Sequence, residues 1–319
     1  RPFRGILYSR HFIKDLRAVV APPYDVISEE GVERYFARHE KNIIRLIMVK
    51  GAHEAGSGEK SYRPAADHFE SWLKEGTLLR DPQPAIYVYS QRYLLPDGCS
   101  KERFGYIARL KLEDFESGVV MPHEFTFSKP RLDRLNLIRT CRANFDQIFC
   151  VYPDPAMKID NLLEDVAATE KETCSLADEE GIVNRLWTIV DPAILKFIVL
   201  QMADKNVLLA DGHHRYEAAL TYRNEARRAG EKGGAAEYVM AYLVNMYAPG
   251  LSILPYYRVV NGLPDLNGIR LYQTLSGRFL LKEFKPLADE TTDRTLTRLL
   301  EQELVVEGRD AKVFAMFGR

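Results

Sequence analysis

The stretch Val207-Leu208-Leu209-Ala210-Asp211-Gly212-His213-His214-Arg215-Tyr216-Glu217 joins a short apolar run to an Asp-Gly pair and then to a polar segment. It predicts a buried strand over residues 207–210, a turn at Asp211-Gly212 and a helix reaching to about Arg228, before the glycine-rich breaker at 230–234. A strand that turns directly into a helix leaves the helix's first N–H groups without intrahelical partners. Together with the helix dipole, those groups favour an anion at the junction. Gly212 lets a ligand approach the backbone closely. His213 and His214 add switchable charge, and Arg215 offers a two-pronged donor suited to phosphate oxygens. Three such side chains would oppose the dipole unless an anion offset them. The same residues could also form a structural cap with surface histidines.

Working outward, Asp191 and Pro192 read as the cap and first position of a preceding helix that ends near 204–206, and strands are expected at 239–246 and 253–260 around Pro249-Gly250. Toward the N-terminus, an apolar segment over 19–27 carries Pro22-Pro23, two missing donors that force a rigid loop presenting Tyr24 and Asp25. Ser28 caps a helix with Glu29 and Glu30 in its first turn. Residues 43–49 read as a buried strand, 53–60 as a solvated loop, and 61–75 as an amphipathic helix stopped by Gly76. A hairpin pairs 86–89 with 104–107 around Pro96-Asp97-Gly98. A loop over 121–126, a basic helix over 131–142, a strand over 148–152 and a helix over 158–168 follow. Hairpins mixed with helices point to an α+β fold with a mixed sheet, not a doubly wound one.

The 319 residues carry 44 basic and 45 acidic side chains, a net charge of −1, and 46% are hydrophobic. That balance argues against a broad nucleic-acid or anionic-membrane surface, although it permits a local basic pocket. The four cysteines contain no Cys-x-x-Cys pair, which removes zinc-ribbon and thioredoxin readings and fits a reducing cytoplasm. The longest apolar stretch, 193–202, is interrupted by Lys196 and Gln201 and is too short to span a bilayer. Arg1 at the start and Gly318-Arg319 at the end lead us to expect a trimmed N-terminus and a truncated C-terminus.

Two more segments carry candidate chemistry. Asp25, presented from a diproline loop, suits a general base, and it suits equally a turn in which it satisfies local amides. Residues 129–144 hold Lys129, Arg131, Arg134, Arg139 and Arg142 against the single acid Asp133. Such a helix is usually a solvated face, but it follows His123-Glu124, so part of it could border an acidic substrate. His214 and Glu217, at i and i+3 with His123-Glu124 as further ligands, form a weak metal pattern. A divalent ion bridging a nucleotide fits better than a protein-caged metal, and no residue is assigned as a metal ligand.

The motifs Ala21-Pro22-Pro23-Tyr24-Asp25-Val26-Ile27, His123-Glu124 with Thr126, Lys129-Pro130 through Asp133-Arg134-Leu135, Arg142-Ala143-Asn144 and Ala210-Asp211-Gly212-His213-His214-Arg215-Tyr216-Glu217 occur in that order. Together they closely resemble the DUF1015 family over nearly the whole chain. The box at 211–215 also resembles the ParB/sulfiredoxin superfamily, in particular its free-serine kinases. That resemblance implies a ParB/sulfiredoxin-like core, discontinuous over about 1–50 and 185–260, with a large insertion over about 51–184 in a single unit spanning 1–319. It implies a nucleotide-dependent phosphotransferase acting on a small hydroxyl metabolite, serine or a phosphoserine relative. The cofactors would be ADP or ATP with Mg²⁺, and neither nucleic acid nor membrane would be a partner. Asp211, Gly212, His213, His214 and Arg215 would hold the nucleotide phosphates, and Asp25, Glu124 and His214 would be catalytic. Tyr24, His123, Lys129, Arg134 and Asn144 would face the substrate. A nucleotide-gated regulator and a phosphomonoesterase using the same pocket are the rival expectations. Where the family commonly carries Pro-Thr-His-Arg, this chain has Pro255-Tyr256-Tyr257-Arg258. A tyrosine could not replace an essential histidine base near neutral pH.

Overall fold

The computed structural model describes residues 1–49, 58–231, 233–254, 267–299 and 315. They fall into two compact units, Arg1–Ile253 and Leu254–Arg319. In the first, β1 (Ile6–Tyr8) is followed by α1 (Glu29–Arg38), α2 (Ile44–Ile47), α3 (Arg63–Glu75), β2 (Leu78–Arg80), β3 (Ile86–Leu94), β4 (Ser100–Lys111), β5 (Val120–Met121) and α4 (Ser128–Cys141). Then come β6 (Ile148–Tyr152), α5 (Lys158–Thr169), β7 (Cys174–Ala177), β8 (Val183–Ile189), α6 (Pro192–Gln201), β9 (Val207–Asp211), α7 (His213–Arg228) and β10 (Tyr238–Asn245). The second unit contains α8 (Gly268–Ser276) and α9 (Thr292–Arg298). Among the described residues, no helix is long and apolar enough to cross a membrane.

Eight strands form one mixed sheet in the order β5-β9-β6-β10-β4-β3-β8-β7, so the fold is α+β. The pairs β5–β9 and β6–β10 are parallel and the remaining pairs antiparallel. Strands from the segment read as an insertion, β3 to β6, therefore share a sheet with β9 and β10. Ile148, Cys150, Leu209 and Ala241 are fully buried in its main core with Trp187 and Tyr216. Full burial of each large aliphatic side chain there contributes about 1.5–3 kcal/mol.

Two buried polar side chains of α7 fix that helix to the end of β4. The Tyr216 hydroxyl donates to the Glu113 carbonyl (2.7 Å) and accepts from the Glu113 N–H (3.0 Å). Arg223 donates to the Leu112 carbonyl (2.8 Å) and pairs with Asp114 (2.7 Å). Helix α4 packs along α7, and α3 against α4. The start of α7 is thereby held beside the loop that enters α4.

Residues 43–49 are not a strand. Ile44–Ile47 is a short, buried helix, because Asn42 dictates the local geometry. Its Oδ1 accepts from the Ile44 N–H (2.9 Å), while its Nδ2 donates to the carbonyls of Ala18 and Val20. The isoleucines suggest a strand only if that local side-chain turn is ignored. One of these contacts occupies the Val20 carbonyl of the apolar segment at 19–27, which forms no strand and runs into a 3-10 turn, Tyr24–Val26. The strand expected at 253–260 and the Pro255–Arg258 departure fall almost entirely outside the described residues.

Candidate active site

Strand β9 delivers Asp211 to the sheet's end, and Gly212 then turns the chain with φ +90°. That left-handed conformation favours glycine. The turn is also crowded: a Cβ on Gly212 would meet Arg215 Nε at 3.0 Å and Ile148 Cγ2 at 3.1 Å. No side chain caps the start of α7. Its first N–H groups therefore retain the anion preference expected from the sequence.

This turn forms one wall of a cleft of about 390 Å³, lined also by Tyr24, Asp25, Glu124 and Pro130. Three segments distant in sequence thus converge: the diproline loop, the loop ahead of α4, and the β9–α7 turn. Asp25 and Glu124 are exposed carboxylates on this cleft.

The cationic side chains at the α7 start are balanced within the protein. Arg215 is buried, paired with Asp211 one turn away, and donates from Nη1 to the Gln147 carbonyl (2.6 Å). Its Nε is buried and has no hydrogen-bond partner among the described residues. His214 Nε2 accepts from the Phe127 N–H (2.9 Å) and is therefore unprotonated in this arrangement. Glu217 accepts from Thr126 Oγ1 (2.7 Å) and pairs with Arg131 (2.8 Å).

His213 is buried between two neighbours. Its Nε2 accepts from the His123 N–H (3.3 Å), which leaves the proton on Nδ1. That Nδ1 lies 3.0 Å from Glu124 Oε1 but off the hydrogen-bonding line, and it has no hydrogen-bond partner among the described residues. Burial lowers the ring's affinity for a proton, while Glu124 opposes that shift. His123 stacks edge-on against His213 at 4.5 Å and directs Nδ1 to the Leu209 carbonyl (2.7 Å). A carbonyl only accepts, so His123 Nδ1 is the donor of that bond. Ligand atoms of His123, Glu124 and His213 all lie within 4.8 Å of one another.

Behind the cleft, Arg134 is not an open substrate contact. It is 4% exposed, pairs with Asp133, donates to the Ile47 carbonyl (2.9 Å) and lies 3.6 Å from Asp146. Its guanidinium covers the Tyr24 ring at 3.9 Å. Burial raises the pKa of the Tyr24 phenol, and Arg134 opposes the rise. Lys129 and Asn144 are exposed and, like His123, do not line the cleft.

Asp146 is the residue that sequence reasoning missed. Burial raises the pKa of its carboxyl against the opposing pull of Arg134 and Arg215, and Asp25 pushes it the same way as burial. It therefore links the arginine behind Tyr24 to the arginine of the α7 turn. Its position two residues after Asn144, between a basic helix and a buried strand, was the only signal.

Comparison with known proteins finds no curated protein and no solved structure that matches the chain. The family described as "Protein of unknown function (DUF1015)" matches residues 1–316. The loop at Tyr24-Asp25, the one at His123-Glu124 and the Asp211–Arg215 turn all lie within that span and meet at one cleft, and the chain belongs to the DUF1015 family.

Proposed function

We propose that the cleft binds the phosphates of a nucleotide and transfers a phosphoryl group to a small hydroxyl metabolite, serine or a phosphoserine relative. One observation carries this reading: the uncapped start of α7, with the unpartnered Nε of Arg215 behind it, shares a cleft with the Asp25 carboxylate. Phosphate oxygens suit the free amides, and the buried Nε lacks an acceptor. The resemblance of the 211–215 box to free-serine kinases supports the same assignment and suggests the hydroxyl acceptor.

In the reaction, the acceptor oxygen forms a bond to the terminal phosphorus as the bond to the nucleotide's bridging oxygen breaks. The nucleotide leaves with one phosphate fewer, and the hydroxyl proton passes to Asp25. Phosphoryl transfer gains mainly from positioning and charge stabilisation, so Asp25 orients the hydroxyl and accepts its proton late. Glu124, also on the cleft, is the alternative base. Mg²⁺ would neutralise phosphate charge, and Asp211 with Asp25 or Glu124 offers the oxygen ligands it prefers. Four unpaired cysteines fit a cytoplasmic setting.

Paired variants test this reading. Asp25→Asn should lower turnover by about 10²–10⁴ while nucleotide affinity holds. Arg215→Lys keeps the charge but removes the Nε donor, so calorimetry should show weaker nucleotide binding first. Unchanged turnover in Asp25→Asn and Glu124→Gln alike would end the carboxylate-base mechanism.

A further inference from the structure

The phosphate reading accounts for one end of a nucleotide and leaves the base unplaced. Two aromatic side chains flank the cleft. The Tyr24 ring already carries the Arg134 guanidinium on one face. Phe127 is different: 75% exposed, with its ring 6.3 Å from that of His214 and the two planes 23° apart. His214 itself lines the cleft, so this aromatic surface begins at the cleft wall. The main-chain N–H of Phe127 donates to His214 Nε2 (2.9 Å), which orients the His214 ring without using the phenyl group. Two residues earlier, Phe125 is 99% exposed. A large aromatic side chain left open against a cleft-lining residue, as Phe127 is against His214, marks a binding surface, and a nucleobase offers a flat π-face to match.

We propose that Phe127, stacked on His214, is the platform for the nucleobase, so that the ligand is a nucleoside di- or triphosphate and not a bare polyphosphate. This rests on the phosphate reading of the α7 turn. The polarity of the arrangement is defined: phosphates at Gly212 to Arg215, base on the Phe127 side.

Calorimetry with ATP and with inorganic tripolyphosphate separates the two ideas. Wild-type protein should bind ATP more tightly than tripolyphosphate. Phe127→Ala should weaken ATP about tenfold, the loss expected for one base–aromatic stack, and leave tripolyphosphate unchanged. Phe127→Tyr should restore ATP binding. Because the side chain is exposed and its backbone bond survives substitution, the variants should melt like wild type. Equal wild-type affinity for the two probes, or an unchanged ATP affinity in Phe127→Ala, overturns the platform and leaves the phosphate site standing. A variant that changes only the oligomeric state makes this surface a self-interface and also overturns the platform. Failure of both probes to bind wild type removes the phosphate reading together with the platform.

Discussion

Replacing Gly212 by alanine tests the geometry of the turn on which the candidate site depends. Gly212 and Gly230 share φ +90°, so an added Cβ meets the same left-handed penalty at both, about 1–2 kcal/mol. Their surroundings differ. At Gly230 nothing lies within 4 Å of the added atom. At Gly212 it meets Arg215 Nε at 3.0 Å, Ile148 Cγ2 at 3.1 Å and Arg215 Cζ at 3.2 Å. Ile148 is fully buried, and Arg215 is held by Asp211 and the Gln147 carbonyl, so neither yields easily. Overpacking of this kind adds about 1–3 kcal/mol. In a unit of this size each kcal/mol lowers Tm by about 2–4 °C, so Gly212→Ala should melt about 5 °C below Gly230→Ala. Thermal denaturation followed by circular dichroism gives both values. Equal Tm losses would refute the close packing of Gly212 on Arg215 and Ile148.

Other substitutions probe separate features. Arg134→Met removes the cation facing Asp133 and Asp146, and the loss of a buried partner should cost about 3–5 kcal/mol, visible in chemical denaturation; an unaltered midpoint would place Arg134 in solvent. Asp160 is buried and its carboxyl pKa is raised by desolvation, which the Asn245 side-chain hydrogen bond only partly opposes. The folded state therefore holds that proton more tightly than the unfolded chain. Its contribution is present below the ordinary carboxylate value of about 3.9 and lost as pH rises through the raised value. Wild type should consequently lose stability relative to Asp160→Asn as pH rises from about 4 toward neutrality, and a constant difference across that range would contradict the burial. Glu124→Gln removes the charge that opposes desolvation at His213, so NMR titration should find that imidazole still harder to protonate than in wild type; an unchanged titration would separate the two groups.

The β9–α7 turn was legible because its chemistry is local. An apolar strand, Asp-Gly and a helix start lie within one short stretch, and the structure places them as the spacing requires. Asp25 was legible as an exposed carboxylate through its two prolines, although its neighbours were not. Arg134 misled: its basic surroundings suggest a solvated or substrate-facing helix, whereas its neighbour Asp133, itself bonded by Tyr62, and Asp146 and Tyr24 from other segments surround it. Asp146 was illegible for the same reason, since its environment is made by Arg134 and Arg215 across the fold. Strands β7 and β8 also escaped the sequence reading. Ser175, Asn184 and Arg185 break their apolar pattern, and their pairing with each other and with β3 supplies the order that local pattern lacks.

Phosphorus-31 NMR of the wild-type protein with ATP or ADP, Mg²⁺ and L-serine tests the phosphotransfer reading most directly. A nucleotide-bound cleft with Asp25 beside the acceptor requires a phosphoserine signal to grow as the nucleotide loses one phosphate, and Asp25→Asn should slow that growth by about 10²–10⁴. Release of inorganic phosphate alone, or nucleotide binding without turnover on serine or other small hydroxyl acceptors, would contradict it.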